Sequence, residues 1–172
     1  MNALTTSRLL LRPIIPQDWI ALKKITRDFA ASPYWMYDYP FPSEDEKLKA
    51  IASHFSKTGT FLSVLLKETG EMIGYICLHD DGESFDIGYC FHSSFHRQGY
   101  AGEALCFLME LMYQNLHVQA FTAGTAMRNI PSVSLLKKLG FALLYTEPTS
   151  FHKDENGKDI VFEGGRFIKK MI

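Results

Sequence analysis

The chain has 172 residues, of which 47% are hydrophobic, 22% charged and 13% aromatic, the composition of one soluble globular domain with a full core. This composition excludes a disordered or collagen-like chain, and we expect a single domain over residues 1–172. A compact fold of this size removes roughly 70% of the unfolded chain's surface from water, so no metal or disulfide is needed for stability. Eighteen Lys and Arg against nineteen Asp and Glu give no concentrated positive field, which argues against a nucleic-acid partner.

Three cysteines, an odd number without a Cys-x-x-Cys pair, lie in apolar runs at Cys77, Cys90 and Cys106. A thiol in such a run behaves as a small hydrophobic group, so we expect all three to be reduced and buried. The opening residues lack the positive region and apolar stretch of a signal peptide, and no window approaches the roughly 18 apolar residues of a membrane helix. We therefore expect a cytoplasmic protein with no membrane partner.

The first half of the chain predicts one strand, two amphipathic helices and three further strands. An apolar run over residues 8–14, bounded by prolines, is typical of a strand. A helix is predicted from Asp18 to a point before Pro33, because apolar residues recur there at spacings of three and four. A second helix is predicted from Ser43, which forms a capping-box pattern with Glu46. Three neighbouring antiparallel strands are then expected at 61–66, 72–79 and 85–91.

The second half alternates helices and strands. The strongest helical pattern covers residues 101–114. A strand at 118–125, a helix at 131–139 closed by Gly140, and strands at 141–146 and 160–168 follow. The whole order predicts a single-domain α/β fold, a mixed and mostly antiparallel twisted sheet of about seven strands with helices on both faces.

The segment FHRQGYAGEA at residues 95–104 lies between a predicted strand and the strongest helix. Small residues at Gly99, Ala101 and Gly102 let a ligand approach the backbone, and the amides of the first helical turn point outward with the positive end of the helix dipole. The pattern indicates an anion site, most simply for a phosphate. On spacing alone the same turn could serve only to start the helix.

Five motifs follow one another along the chain: RLLLRP at 8–13, FDIGY at 85–89, HRQGYAGEAL at 96–105, NIPS at 129–132 and KKLGF at 137–141. In this order they resemble the signatures of the GNAT superfamily of N-acetyltransferases, and in particular its ribosomal-protein N-terminal acetyltransferase branch. The resemblance implies a GNAT-like fold and acetyl-CoA as the cofactor. It implies transfer of an acetyl group to a primary amine, either a protein or peptide α-amine or a small-molecule amine, by direct attack in a ternary complex.

The resemblance also implies where acetyl-CoA binds. Residues 97–102 match the pyrophosphate loop, whose contacts come mainly from backbone amides, and His96 stands where Arg or Gln is commonest. The end of the preceding strand matches the segment that pairs with the pantetheine arm, and an Asn and a Ser flank that arm near the thioester. The implied cofactor-binding residues are Phe91, His92, Arg97, Gln98, Gly99, Tyr100, Ala101, Gly102, Asn129 and Ser132.

The reaction requires a neutral amine, a donor to the thioester oxygen, a proton for the departing thiolate and aligned substrates. Ser132 is the candidate proton donor, and Asn129 flanks it. Both have a compatible alternative role as caps of the helix that follows. Asp86 is the leading candidate for the base, since the branch often carries Glu there, although it could be an outward-facing strand residue. Its rivals are His92, His96 and Glu83.

An aromatic segment, YWMYDYPF at residues 34–41, lies between the first two helices. In the family this connection borders the acceptor site, which makes Trp35, Tyr37, Asp38 and Tyr39 candidate substrate-binding residues. Asp38 could pair with a substrate ammonium, whereas packing of the loop over the sheet is the competing interpretation. The turn FHKDENGKD at 151–159 is expected to lie at the edge of the same acceptor-site opening.

Two other classes of function stay open, a catalytically silent acyl-CoA-binding module and a nucleotide-binding domain. An α-amine with a pKa of about 8 is about one-tenth neutral at pH 7, whereas a lysine with a pKa of about 10.4 is almost wholly charged. The poorly defined base therefore slightly favours an amino-terminal acceptor. No metal is expected in the site, and either a monomer or a homodimer is compatible with the sequence.

Overall fold

The computed structural model describes residues 3–82 and 84–171, which form one mixed sheet with two pairs of helices. The helices are α1 (Trp19–Ala30), α2 (Asp45–Thr58), α3 (Tyr100–Leu116) and α4 (Ile130–Lys138). The strands are β1 (Leu4–Thr5), β2 (Leu9–Pro13), β3 (Phe61–Leu66), β4 (Met72–Asp80), β5 (Phe85–Phe91), β6 (Ala120–Ala126), β7 (Ala142–Thr149) and β8 (Phe162–Lys170). Their order in the sheet is β1-β2-β3-β4-β5-β6-β8-β7.

The junction between β5 and β6 is unlike the rest of the sheet. All other neighbouring strands are antiparallel, whereas β5 and β6 run parallel. Within the described residues their pairing is limited to Phe85 with Phe121 and Asp86 with Thr122. Beyond Asp86 the two strands diverge, which leaves a gap in the sheet along the rest of β5.

The two faces of the sheet carry separate cores because side chains alternate along each strand. The larger core packs α3 and α4 against one face and includes Ile87 and Phe91 of β5. The smaller core packs α1 and α2 against the other face, and Cys90 of β5 lies at its border. The predicted mixed α/β sheet with helices on both faces is therefore confirmed, and the described part of the chain has eight strands rather than about seven.

The extra strand and the start of α2 differ from the sequence prediction. Strand β1 has two residues, too few for an alternating pattern to show. Helix α2 has Glu44 at its N-cap and makes no side-chain cap hydrogen bond, so the capping box predicted at Ser43 is wrong. The carboxylates of Glu44 and Glu46 instead pair with the ammonium groups of Lys47 and Lys49, at 2.7 and 2.6 Å.

The predicted start of α1 contains a buried ion pair. Helix α1 begins at Trp19, and the Asp18 side chain makes no cap hydrogen bond. Its carboxylate accepts two hydrogen bonds from Arg12, at 2.7 and 2.8 Å, and one each from the Ser63 hydroxyl and the Ile15 amide. A carboxylate that is 8% exposed needs such charged partners to offset its lost hydration.

The cysteines are free as predicted, but the prediction that all three are buried is wrong. Cys106 is exposed because it lies on the outer side of α3, opposite the buried stripe of that helix. Cys77 and Cys90 are half-buried, and burial raises the pKa of Cys77 to about 11 and the pKa of Cys90 to about 12. Both thiols therefore stay protonated at neutral pH.

Candidate active site

The gap beside β5 exposes backbone groups of alternate residues. The amide of His92 donates to the carbonyl of Ile73 in β4 at 2.9 Å. Because hydrogen-bonded pairs alternate along antiparallel strands, Cys90 and His92 direct their backbone groups at β4, whereas Tyr89 and Phe91 direct theirs into the gap. An extended ligand arm can therefore pair with β5 as an additional strand.

Two histidines fix the turn that leaves β5. The His96 Nε2 atom lies 2.7 Å from the carbonyl oxygen of Phe91, and since a carbonyl only accepts, Nε2 carries the proton. His92 accepts a hydrogen bond from the Ser94 amide at Nδ1, while its Nε2 lies 3.8 Å from Asp28 Oδ1. The resemblance implies that Phe91 and His92 lie beside the pantetheine arm. The backbone amide and carbonyl of Phe91 face the gap, whereas those of His92 face β4.

Residues 97–102 form a turn with unpaired amides at the start of α3. Arg97 and Gly99 have left-handed backbones, with φ of 59° and 83°. None of the six amides in this range donates to another described residue, and the first that does is Glu103, to the carbonyl of Gly99 at 2.9 Å. Such turns aim successive amides at one point, and the helix dipole adds positive potential there. The predicted anion site is thus an open cluster of donors.

The side chains of this turn have structural roles. Gln98 donates to the carbonyl of Ser94 at 2.9 Å. Ala101 packs against the larger core. Gly102 faces α4, where an added Cβ would lie 3.7 Å from Leu135 Cδ1. The turn therefore offers a ligand its backbone, and the Gln98 and Ala101 side chains help to hold that backbone in place.

The amino-terminal segment is fastened to the same turn. The Glu103 carboxylate accepts hydrogen bonds from the Thr6 hydroxyl at 2.5 Å and from the Arg8 amide and guanidinium at 3.0 and 2.7 Å. Arg8 also donates to the carbonyl of Gln98 at 3.0 Å and lies 4.4 Å from the centre of the Tyr100 ring. Burial raises the pKa of Glu103, but these hydrogen bonds outweigh it and lower the value to about 2. Arg8 thus balances the carboxylate charge next to the anion site.

A pair of hydroxyl groups lies on the α3/α4 side of the gap. Asn129 is the N-cap of α4, and its side-chain oxygen accepts from the Ser132 amide at 3.4 Å. The Ser132 hydroxyl is not a cap, because it lies 2.9 Å from the Tyr89 hydroxyl. Burial raises the pKa of Tyr89, and the hydrogen bond with Ser132 opposes that rise. The sequence analysis missed Tyr89, although it is the last residue of the FDIGY motif.

Asp86 lies where β5 and β6 still pair. Its carboxylate is 2.9 Å from the Arg166 guanidinium of β8 and accepts from the Thr122 hydroxyl at 3.2 Å. Arg166 also donates to Thr122 at 2.8 Å. By the alternation of side chains, Asp86 faces the α1/α2 side of the sheet, opposite Tyr89. Of its rivals, His92 and His96 have the partners given above, and Glu83 lies outside the described residues.

The aromatic segment between α1 and α2 meets the β7–β8 connection. The Trp35 and His152 rings are 4.7 Å apart, those of Tyr39 and Phe151 4.4 Å, and those of Tyr37 and Phe162 5.0 Å. The His152 Nε2 atom also bonds the Asp38 carbonyl at 2.8 Å. The two segments that the sequence placed around one opening are therefore in contact.

A cavity of about 90 Å³ lies beneath this contact, on the α1/α2 face of the sheet. Trp35, Asp38 and Tyr39 line it, whereas Tyr37 packs outside against Phe162. Cys90 of β5 also lines the cavity, which therefore adjoins the strand that borders the gap. Burial raises the pKa of Asp38, although the Tyr39 amide and His152 oppose that rise.

Comparison with known proteins identifies the family of this chain. A family model described as an acetyltransferase (GNAT) domain matches residues 8–142. The uncharacterized N-acetyltransferase YnaD of Bacillus subtilis is 30% identical over 139 residues, which are 80% of this chain and 81% of YnaD. The uncharacterized N-acetyltransferase p20 of Bacillus licheniformis is 28% identical over 148 residues, 82% and 83% of the two chains. The chain belongs to the GNAT acetyltransferase family, which confirms the resemblance seen in its motifs.

Solved structures show the same fold. A GNAT-family acetyltransferase from Bacillus anthracis superposes with a TM-score of 0.81 at 19% identity, over 98% of both chains. RimL, a ribosomal L7/L12 α-N-protein acetyltransferase solved in complex with coenzyme A, superposes with a TM-score of 0.78 at 18% identity, over 96% of both chains. The protein is thus an acetyl-CoA-dependent acetyltransferase, and enzymes of this family transfer the acetyl group to amines.

The residues present fit acetyl-CoA. The unpaired amides of 97–102 suit a pyrophosphate. The backbone of Tyr89 and the amide of Phe91 suit an amide-containing arm, whereas the carbonyl of Phe91 already accepts from His96. Among the described residues, no group of three or more His, Cys, Asp or Glu side chains is placed to hold a metal ion. No helix in residues 3–82 and 84–171 is long and apolar enough to cross a membrane.

Proposed function

We propose that this chain, acting as one domain over residues 1–172, acetylates a primary amine by direct attack of the amine on acetyl-CoA in a ternary complex. The observation that carries the proposal is the gap beside β5, which has an anion-binding turn at one end and a cavity on one face. A ligand arm in the gap would be reachable from the cavity through the divergent strands. Such an arrangement holds both substrates at once, which direct attack requires.

Cofactor binding would rest mainly on backbone groups. The pyrophosphate would accept hydrogen bonds from the amides of residues 97–102, and the pantetheine arm would pair with Tyr89 and Phe91. The amide nitrogen of Asn129 is not used by its cap interaction, because the cap uses the side-chain oxygen. That nitrogen can therefore donate to the arm, which makes the two roles of Asn129 compatible.

Proton transfer would use groups on opposite faces of the sheet. Acetyl-CoA supplies an activated acetyl group on a thiol leaving group with a pKa of about 8.5. When the Tyr89 hydroxyl donates to Ser132, the Ser132 proton is free to point at the departing sulfur. Asp86 is the proposed proton acceptor, and it lies on the face from which the amine would arrive. Its ion pair with Arg166 would hold the carboxylate in a fixed position.

Release of free thiol from acetyl-CoA, measured against a panel of amines, tests this function. Turnover should require an amine, and the acetylated amine should accumulate in step with the thiol. Saturable binding of acetyl-CoA with no turnover on any amine would instead identify a silent acyl-CoA-binding module. Displacement of coenzyme A by ATP at similar concentrations would identify a nucleotide-binding domain.

A further inference from the structure

We infer, on the basis of the proposed function, that the acceptor is a primary amine with no carboxylate next to its amino group, held by Asp38. The group beside the amine would be apolar or aromatic. An amino acid in amide linkage meets this description, whereas a free amino acid does not. The inference rests on the charge and the walls of the cavity beside Cys90.

The charge of the cavity favours a cation and disfavours a second anion. Among the described residues that line the cavity, Asp38 is the carboxylate and none is a Lys or Arg. The Asp38 side chain accepts from the Tyr39 amide at 2.7 Å, and no Lys or Arg within the described residues pairs with it. A half-buried carboxylate with no Lys or Arg partner would be stabilised by an added cation. An acceptor ammonium would supply the cation, whereas an acceptor carboxylate would add an uncompensated negative charge.

The other titratable groups at the cavity do not offer a strong partner for a carboxylate. The His152 ring bonds the Asp38 carbonyl through Nε2 and packs edge-on against Trp35. Cys90 stays protonated at neutral pH because burial raises its pKa to about 12, and burial likewise raises the pKa of Tyr75. Among the described lining residues, Asp38 is therefore the side chain best suited to a charged ligand, and a carboxylate attracts a cation.

The aromatic walls of the cavity favour an acceptor whose amine carries an apolar or aromatic group. Aromatic side chains from α1, the 35–41 segment and β4 line the cavity together with Asp38, namely Phe29, Trp35, Tyr39, Phe41 and Tyr75. Aromatic faces attract an ammonium through cation–π interactions and bury apolar groups attached to it. At about 90 Å³, the cavity has room for several water-sized groups, so it would take the amine end of an acceptor and leave the remainder outside.

Matched acceptor pairs test the inference. Phenylalaninamide and phenylalanine have the same body and differ at the carboxyl group, and leucinamide and leucine form a second pair. We expect kcat/KM to be at least tenfold higher for each amide, a difference of about 1.4 kcal/mol. Asp38→Asn should lower kcat/KM for the amides about tenfold and lower the amide-to-acid ratio by the same factor. Glu110→Gln, the same chemical change on the outer side of α3, is the matched control and should keep the wild-type ratio.

A binding measurement separates failure of this inference from failure of the proposed function. Calorimetric titration of phenylalaninamide into the protein saturated with coenzyme A needs no turnover. Selective binding of the amide, lost in Asp38→Asn but without acetylation, would support the Asp38 site and overturn the transferase. Acetylation of acids and amides with equal efficiency, or an unchanged amide-to-acid ratio in Asp38→Asn, would refute the role of Asp38. The proposed acetyltransferase function would not be affected by either result. Melting temperature and coenzyme A affinity of each variant confirm that it is folded.

Discussion

The role of Gly99, at the N-cap of α3, in binding acetyl-CoA can be tested by comparing its substitution with that of a second glycine in a similar backbone conformation. Gly99 has a φ of 83°, and Gly59, at the C-cap of α2, has a φ of 68°. An alanine in this left-handed region costs roughly 1–2 kcal/mol at either position. For a chain of this size each kcal/mol lowers the melting temperature by about 2–4 °C. Gly99→Ala and Gly59→Ala should therefore destabilise the protein by similar amounts, about 2–8 °C.

The surroundings of the two glycines predict different effects on coenzyme A. A Cβ on Gly59 would meet no heavy atom within 4 Å, whereas a Cβ on Gly99 would lie 3.4 Å from Arg8 Nη2. The new methyl group at Gly99 would contact Arg8, and its strained backbone would shift the amides of the anion-binding turn. We expect the Kd for acetyl-CoA to rise about tenfold in Gly99→Ala, a loss of about 1.4 kcal/mol, and to stay at the wild-type value in Gly59→Ala.

Thermal unfolding followed by circular dichroism gives the stability of both variants, and calorimetric titration below their melting temperatures gives the Kd. A Gly99→Ala variant that melts early but binds acetyl-CoA like the wild type would refute the reasoning. In that event the left-handed glycine would serve only to start α3. Equal weakening in both variants would mean that binding follows global stability and not the geometry of the turn.

Three further predictions concern the groups around the gap. Ser132→Ala should lower kcat by roughly ten- to a thousandfold with little change in acetyl-CoA affinity, and Tyr89→Phe should lower kcat only while Ser132 is present. Additive losses in the double variant would contradict a role of Tyr89 through Ser132. Asp86→Asn should make the rate rise with pH toward the acceptor's own pKa, and an unchanged pH–rate profile would remove Asp86 as the base. Glu103→Gln should lower the free energy of unfolding at pH 7 by about 1–2 kcal/mol, since solvent screens much of the interaction with the half-exposed Arg8. Because hydrogen bonds lower the pKa of Glu103 from 4.5 to about 2, its ionised form stabilises the fold above about pH 4.5. This contribution is lost as the pH falls toward 2, so denaturant titrations at pH 7 and pH 3 should show a smaller effect at pH 3, and an equal effect would exclude a charge origin.

Elements with strong local patterns were predictable from the sequence. The predicted strands at 61–66 and 85–91 match β3 and β5 at both ends, because each is an apolar run closed by turn residues. Helix α3 is longer by one residue at its start and two at its end than the predicted 101–114. Strand β1 and the buried Asp18 escaped prediction because pairing between distant segments determines both.

In the candidate site, too, features encoded within one short segment were predictable, whereas contacts between residues far apart in the sequence were not. The anion-binding turn was predictable because small residues and a helix start lie within one short segment. The hydroxyl pair joins Tyr89 to Ser132, 43 positions apart, and the ion pair joins Asp86 to Arg166 on a different strand. No local pattern encodes such contacts. The resemblance pointed to Ser132 and Asp86 as reactive groups, and their partners came only from the folded chain.

The divergence of β5 and β6 has a consequence for how long the protein survives. Among the residues that the structure describes, two register pairs join β5 to β6. A ligand arm in the gap would therefore replace strand contacts that are missing between β5 and β6. A ligand that binds only the folded state stabilises it by about 2.7 kcal/mol at one hundred times its Kd. Resistance to proteases and to heat would then rise with the supply of acetyl-CoA, so the chain would persist longest when its own substrate is abundant.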